Sequence, residues 1–325
     1  MLNFHIFKSK RNNSVLRMIL KNNIKLLITL FCLAFIGNSI YENFESLSDQ
    51  TIYINEIIWL LFGVIFSILS IIINAYAWML LINNIVCNSN KLNTVKLFIV
   101  TNIYKYLPGG IWHFVYRYNN LRLEFSAEES AESIILEPLL MLVAGLIFIP
   151  FGDFNILILI LCWSSTLILL PGLRGFIIKK LKDMKANIFT NNDKLNNRTL
   201  ISTDRRISEK ITYPYKPLFV EILFILFRYF GFLCCIKAFS SGLLVSQFKL
   251  ISSFSLAWII GLVLPAAPGG LGIFEAVILF SLGSQIPEAP LITSLLFYRL
   301  VSMSSDILAA LFFSIKRLLK ILITR

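Results

Sequence analysis

Long apolar runs limit what this 325-residue chain can fold into more than any other feature. They fall at roughly 24–40, 54–82, 95–115, 131–150, 155–171, 218–239, 248–285 and 289–315. In hydrocarbon a backbone must satisfy its own N–H and C=O groups, so runs of this length and composition specify helices that cross or enter a bilayer. The chain is 57% hydrophobic and only 15% charged, with a mean hydropathy of +0.77. A soluble domain has too little interior to hide that much apolar surface. The basic, Asn-rich segment 1–23 precedes the first run without a small-residue cleavage site, which reads as a cytoplasmic N-terminus before a retained first span.

The net charge of +12 belongs to the loops, which argues for cytoplasmic Lys and Arg rather than for nucleic acid. Residues 1–25 hold six Lys or Arg and no acid, and 172–217 hold eleven against four acids. The link 83–96 and the tail from Lys316 are also basic, whereas 41–56 hold only Glu42, Glu45, Asp49 and Glu56. The positive-inside rule therefore places both termini, 83–96 and 172–217 in the cytoplasm, and 41–53 and 150–155 outside.

This parity forces 95–120 to enter from the cytoplasm and return to it, and 248–285 to do the same from outside. Both segments are broken, at Leu107-Pro108-Gly109-Gly110 and at Leu264-Pro265-Ala266-Ala267-Pro268-Gly269-Gly270. The arms of the first are too short for a span of about 20 residues. The arms of the second are longer, and parity alone does not separate a reentrant hairpin from two crossings. The expected fold is an all-α polytopic integral membrane bundle of about six spans. Two Pro-Gly-Gly broken, reentrant-like hairpins lie in inverted-topology repeat, with unit one at about 54–150, a basic linker at 172–217 and unit two at about 218–315, all within one transmembrane domain, 24–325.

A break at membrane depth survives only when packed in protein or lining a wet cavity. Helices restarting after Gly110 and Gly270 would present free N–H groups and a positive dipole end to the interior, a setting for a phosphate or carboxylate. A tight packing turn explains either motif equally well. Ionisable residues in the spans, Glu137, Glu221, Arg228, Arg299 and Asp306, cost about 2.5–3.5 kcal/mol each at the bilayer centre and so should find partners inside the bundle. Arg299 is expected to meet Glu275 or Glu137, and Asp306 lies seven residues on, on the same face. Glu275 is placed to satisfy its own helix dipole or to hold an amine. Glu221 and Lys237 are read as interfacial, with snorkelling side chains. Lys105, His113, Arg117 and Arg122 interleave with Tyr104, Tyr106, Trp112, Tyr116 and Tyr118, which suits either lipid phosphates or an interfacial aromatic belt.

Cys32, Cys87, Cys162, Cys234 and Cys235 lie in or at the ends of apolar segments without ligand spacing and read as buried free thiols. With only His5 and His113, no His-based metal site is expected. No phosphate-binding loop or nucleophile–base set stands out. The chain therefore reads as a non-enzyme without a cofactor, moving its ligand passively or on a gradient.

The stretches KYLPGGIWHFVYR and PAAPGGLGIFEA, with an E-P span after the first and a YR span after the second, resemble the lysylphosphatidylglycerol synthase transmembrane-domain family over roughly 54–315. The resemblance implies a flippase-like bundle with inverted repeats. Its matching positions are Pro108, Gly109, Gly110, Arg117 and Glu137 in the first unit, and Pro268, Gly269, Gly270, Gly272, Glu275 and Arg299 in the second. It also implies a member without the soluble aminoacyl-transferase domain, so lysyl transfer is not expected. The GGIWHF version departs from the commoner pattern, in which Gly-Asp follows, and is similar to stand-alone members tied to polysaccharide or glycolipid pathways. The function expected is binding or flipping of an anionic phospholipid or polyprenyl-linked glycan in the bacterial inner membrane. The alternatives are an accessory subunit of a glycosyltransferase or lipid-modifying pathway, and a secondary transporter of a small anion.

Overall fold

The computed structural model describes residues 54–86, 93–107, 111–152, 155–172, 213–240, 245–264 and 272–323, with side chains to 314. Every regular element among them is helical. The nine α-helices among the described residues are α1 (Ile54–Ile85), α2 (Thr94–Asn102), α3 (Trp112–Leu121), α4 (Ala127–Leu146), α5 (Ile156–Ser164), α6 (Tyr215–Phe239), α7 (Gln247–Val263), α8 (Ile273–Leu282) and α9 (Glu288–Ile323). Short 3-10 turns follow α2, α4 and α5.

Among the described residues, four helices are long and apolar enough to cross a membrane: α1, α4 with its 3-10 extension to Phe151, α6 and α9. These match the runs expected at 54–82, 131–150, 218–239 and 289–315. The span expected at 24–40, with Cys32, lies outside the described residues, as do Cys87 and the linker. The run at 155–171 departs from expectation. It gives α5 and a 3-10 turn, Ser165–Leu169, an apolar helix too short to count as a span. The cause is local: Ser164 Oγ donates to Leu161 O and Thr166 Oγ1 to Trp163 O, both at 2.7 Å, and such back-bonding loosens the α-ladder.

Helix starts are specified conventionally. Ser126 and Glu129 form a reciprocal capping box that begins α4. Pro138, inside α4, removes one ladder donor immediately after Glu137. The segments around the two motifs share one plan. In each, a helix of limited length leads to the glycine-rich stretch, a ten-residue helix follows, and a long span comes next: α2, α3, α4 and then α7, α8, α9. At 1.5 Å per residue α3 and α8 are ~15 Å long, half the ~30 Å of a hydrocarbon core. Pro108, Gly109, Gly110, Pro265, Pro268, Gly269 and Gly270 lie outside the described residues.

α1 and α6 make the most extensive helix pair, with α9 packed against both. Small residues let their backbones approach: a Cβ on Gly231 would lie 2.7 Å from Ser67 Oγ and 3.3 Å from Gly63 O. Beside that crossing, Phe232, Phe254, Phe274 and Tyr298 interlock, with ring centroids 5.4–6.1 Å apart. This joins α6, α7, α8 and α9 in one aromatic core. The outer faces are apolar, as lipid contact requires, with Leu157, Leu161 and Phe280 fully presented. Cys162, Cys234 and Cys235 are free and buried, as expected. Gly231→Val should overpack the α1–α6 crossing by about 1–3 kcal/mol, read as a lower thermal midpoint in detergent; an unchanged midpoint would remove the close approach from the account.

Candidate functional site

Two buried ion pairs join the short helices α3 and α8 to the spans that follow them. Arg117 on α3 is completely buried. Its Nη1 donates to both Glu137 oxygens, at 2.6 and 2.7 Å, and its Nε donates to Thr101 Oγ1 at 3.0 Å. Its guanidinium lies 3.7 Å from the centroid of the Phe98 ring, so both the edge and the face of the cation are engaged. Glu275 on α8 accepts from Arg299 on α9, through Nε and through Nη2, the latter at 3.1 Å. The two pairs have opposite sense. In the first the short helix supplies the base and the long span the acid; in the second the short helix supplies the acid and the span the base.

Glu275 has a second task. Its Oε2 accepts the Gly272 N–H at 2.8 Å, so this carboxylate caps its own helix. Gly272 has φ 87, in the left-handed region that favours glycine, which suits a sharp entry into α8. The start of α8 thus already holds an anion, one of the two roles open for Glu275 from sequence.

A third carboxylate, Asp306 on α9, is buried and bound to the first broken segment. It accepts from Asn102 Nδ2 at 2.8 Å, from the Tyr106 hydroxyl and from Lys105 Nζ at 2.7 Å. The sequence set Asp306 on one face with Arg299, but its partners lie some 200 residues away on the other half of the chain. Glu221 requires a correction. It is 1% exposed, buried among helices rather than snorkelling at an interface, because α6 packs along α1 and α4 on that side. Lys237 is exposed, over the Trp59 ring.

These groups converge on a cavity of about 230 Å³ inside the bundle. Its charged lining comprises Lys105, Arg117, Arg228, Arg299 and Glu137. Asn74, Asn102, Tyr106, His113 and Ser302 add polar groups, and Phe98, Phe274, Tyr298 and Trp258 supply aromatic walls. Of the residues expected at a site, Arg117, Glu137 and Arg299 are therefore brought together, with Gly272 and Glu275 directly behind Arg299. The basic, aromatic cluster of the first broken segment divides. Lys105, Tyr106, His113 and Arg117 line the cavity, while Trp112, Tyr116 and Arg122 are exposed. Sequence reasoning missed Asn74, Asn102 and Ser302. The signal for Asn74 was a lone amide in an apolar run.

A family model described as the lysylphosphatidylglycerol synthase TM region matches residues 22–310. The chain belongs to that family. No curated protein matches it. In this lysylphosphatidylglycerol synthase TM-region protein the matched stretch takes in both ion pairs and the cavity between them.

Removing one partner of a buried pair leaves an uncompensated charge, at about 3–5 kcal/mol. Arg117→Gln should therefore lower the detergent melting midpoint sharply. Arg117→Met with Glu137→Leu should recover most of it. Equal melting of the single and double variants would show that the pair does not act as a unit.

Proposed function

We propose that this protein binds an anionic lipid, or a lipid-linked glycan, by its headgroup and passes that headgroup between the leaflets. The observation that carries the proposal is the interior cavity, with four cationic side chains and one carboxylate in its lining. Its size fits a headgroup and not acyl chains, which would stay in the bilayer. A phosphate entering such a space trades hydration for fixed cations in a low-dielectric site. Membership of the family supports a membrane lipid as partner in the general sense.

The two broken segments act as reentrant hairpins in inverted repeat, one opening to each side. Three observations support this reading: the matching order of helices, the ~15 Å length of α3 and α8, and the opposite sense of the Arg117–Glu137 and Glu275–Arg299 pairs. Each pair ties a hairpin to the span that follows it. Asp306 ties the first hairpin to the last span. Alternating access would then loosen one set of ties while the other holds. The protein sits in the bacterial inner membrane with both termini in the cytoplasm and acts as a carrier without covalent chemistry.

Proteoliposomes with labelled lipids test this. The wild type should move an anionic lipid faster than empty vesicles do, and faster than it moves phosphatidylcholine. Arg299→Ala and Glu275→Gln should each slow that movement about tenfold, the equivalent of about 1.4 kcal/mol. If no lipid moves faster than in empty vesicles, translocation falls and an accessory role in a lipid-modifying pathway takes its place. If only soluble anions move, the protein is an anion transporter.

A further inference from the structure

Resting on the reading of the cavity as a headgroup site, we infer that the anchor for the headgroup phosphate is Arg228 on α6, with Asn74 and His113 completing a subsite for a monoanionic phosphodiester that carries a hydroxyl. Most of the cations in the lining are already committed. Arg117 is held by Glu137, Arg299 by Glu275 and Lys105 by Asp306. Three carboxylates thus neutralise three of the four cations in the lining. Arg228 is the fourth. Its Nη2 donates to Ser302 Oγ and its guanidinium lies 5.9 Å from the Tyr298 ring centroid. Its Nη1 is buried with no hydrogen-bond partner among the described residues. The side chain as a whole is only 8% exposed.

A guanidinium in that state is expensive to keep: Ser302 and the Tyr298 ring engage one side and Asp306, already held by Lys105, is within electrostatic reach, but no carboxylate pairs with it directly and Nη1 gives up hydration without a partner. Glu221 does not compensate it. That carboxylate stands two turns earlier on α6, ~10.5 Å along the helix, in electrostatic reach of Glu137 and Arg117. Two more unsatisfied groups line the same cavity. Asn74 Oδ1 and His113 Nδ1 are buried without partners among the described residues, and Asn74 is 5% exposed. Buried polar groups in native proteins are nearly always paired. Three unpaired ones around a single cavity point to a ligand that pairs them.

Their chemistry describes that ligand. The charge left over after three ion pairs is one, which matches a phosphodiester and not a dianion or a zwitterion. Arg228 Nη1 is a donor for a phosphoryl oxygen, and His113 can donate a second hydrogen bond. Asn74 Oδ1 is an acceptor and calls for a donor on the ligand, which a headgroup hydroxyl supplies. Arg117 and Arg299, whose guanidinium groups are held by carboxylates, then shape the cavity and tie the hairpins to the spans.

The test is equilibrium binding by native mass spectrometry on the full chain in detergent, with melting measured in parallel. The probes are short-chain phosphatidylglycerol, short-chain phosphatidylcholine and inorganic phosphate. The wild type should prefer phosphatidylglycerol. Arg228→Gln should weaken that binding at least tenfold, and Arg228→Lys should retain most of it. Without lipid, Arg228→Gln should melt no lower than the wild type, because it removes a buried charge that no carboxylate pairs directly; a merely structural arginine would give the reverse. The inference is overturned if Arg228→Gln binds phosphatidylglycerol as tightly as the wild type. It is equally overturned if that variant is destabilised or fails to fold. Inorganic phosphate binding as tightly as the lipid would transfer the subsite to a soluble anion and overturn the lipid assignment. Intact Arg228-dependent binding without lipid movement in vesicles would leave the subsite standing and remove only translocation.

Discussion

Neutralising buried arginines is the constraint on which the rest of this structure depends. Bringing a guanidinium into a low-dielectric interior is unfavourable by several kcal/mol unless a carboxylate meets it with good geometry. Arg117 obtains that from Glu137, with Thr101 and the Phe98 ring filling its remaining sides. Arg299 obtains it from Glu275, which is itself fixed by the Gly272 N–H. Each pair joins a ten-residue helix, too short to cross alone, to the long span that follows it. The ion pairs therefore do more than balance charge: they tie α3 and α8 to the spans that follow, beside the cavity that Arg117, Glu137 and Arg299 line.

The same constraint orders the polar interior. Asp306 gathers Asn102, Tyr106 and Lys105 at one point of α9. The aromatic cluster of Phe232, Phe254, Phe274 and Tyr298 fills the neighbouring volume with rings rather than polar groups. Between the two regions lies the cavity, with Arg228 beside it. The polar groups there divide into those satisfied within the protein and those that keep an unpartnered atom among the described residues: Arg228 Nη1, Asn74 Oδ1 and His113 Nδ1. A bundle optimised only for stability would pair or discard the second set.

Much of this was legible in the sequence, for physical reasons that differ by element. The spans at 54–82, 131–150, 218–239 and 289–315 were plain because long apolar runs leave the backbone only the helix. The Arg299–Glu275 pair was among the options because both residues are costly in hydrocarbon and so need partners inside the bundle. The neighbours of Asp306 were not legible. Helical periodicity gives the face of a helix but not what lies opposite, and those partners are some 200 residues away in sequence. Glu221 misled for the same reason. An acid near the start of an expected span looks solvated until a neighbouring helix covers it. The run at 155–171 misled because composition predicts a span there, while the Ser164 and Thr166 hydroxyls bond to their own backbone.

The most direct test of the central claim, that a lipid headgroup enters the cavity between the two ion pairs, is photocrosslinking in membranes. An anionic lipid with a diazirine on its headgroup would be activated in vesicles containing the protein, and the adducts mapped by mass spectrometry. The account predicts adducts on cavity residues such as Asn74, Trp258 and Ser302, lost on competition with unlabelled anionic lipid. Adducts confined to the lipid-facing surface, at Leu157, Leu161 and Phe280, would contradict it.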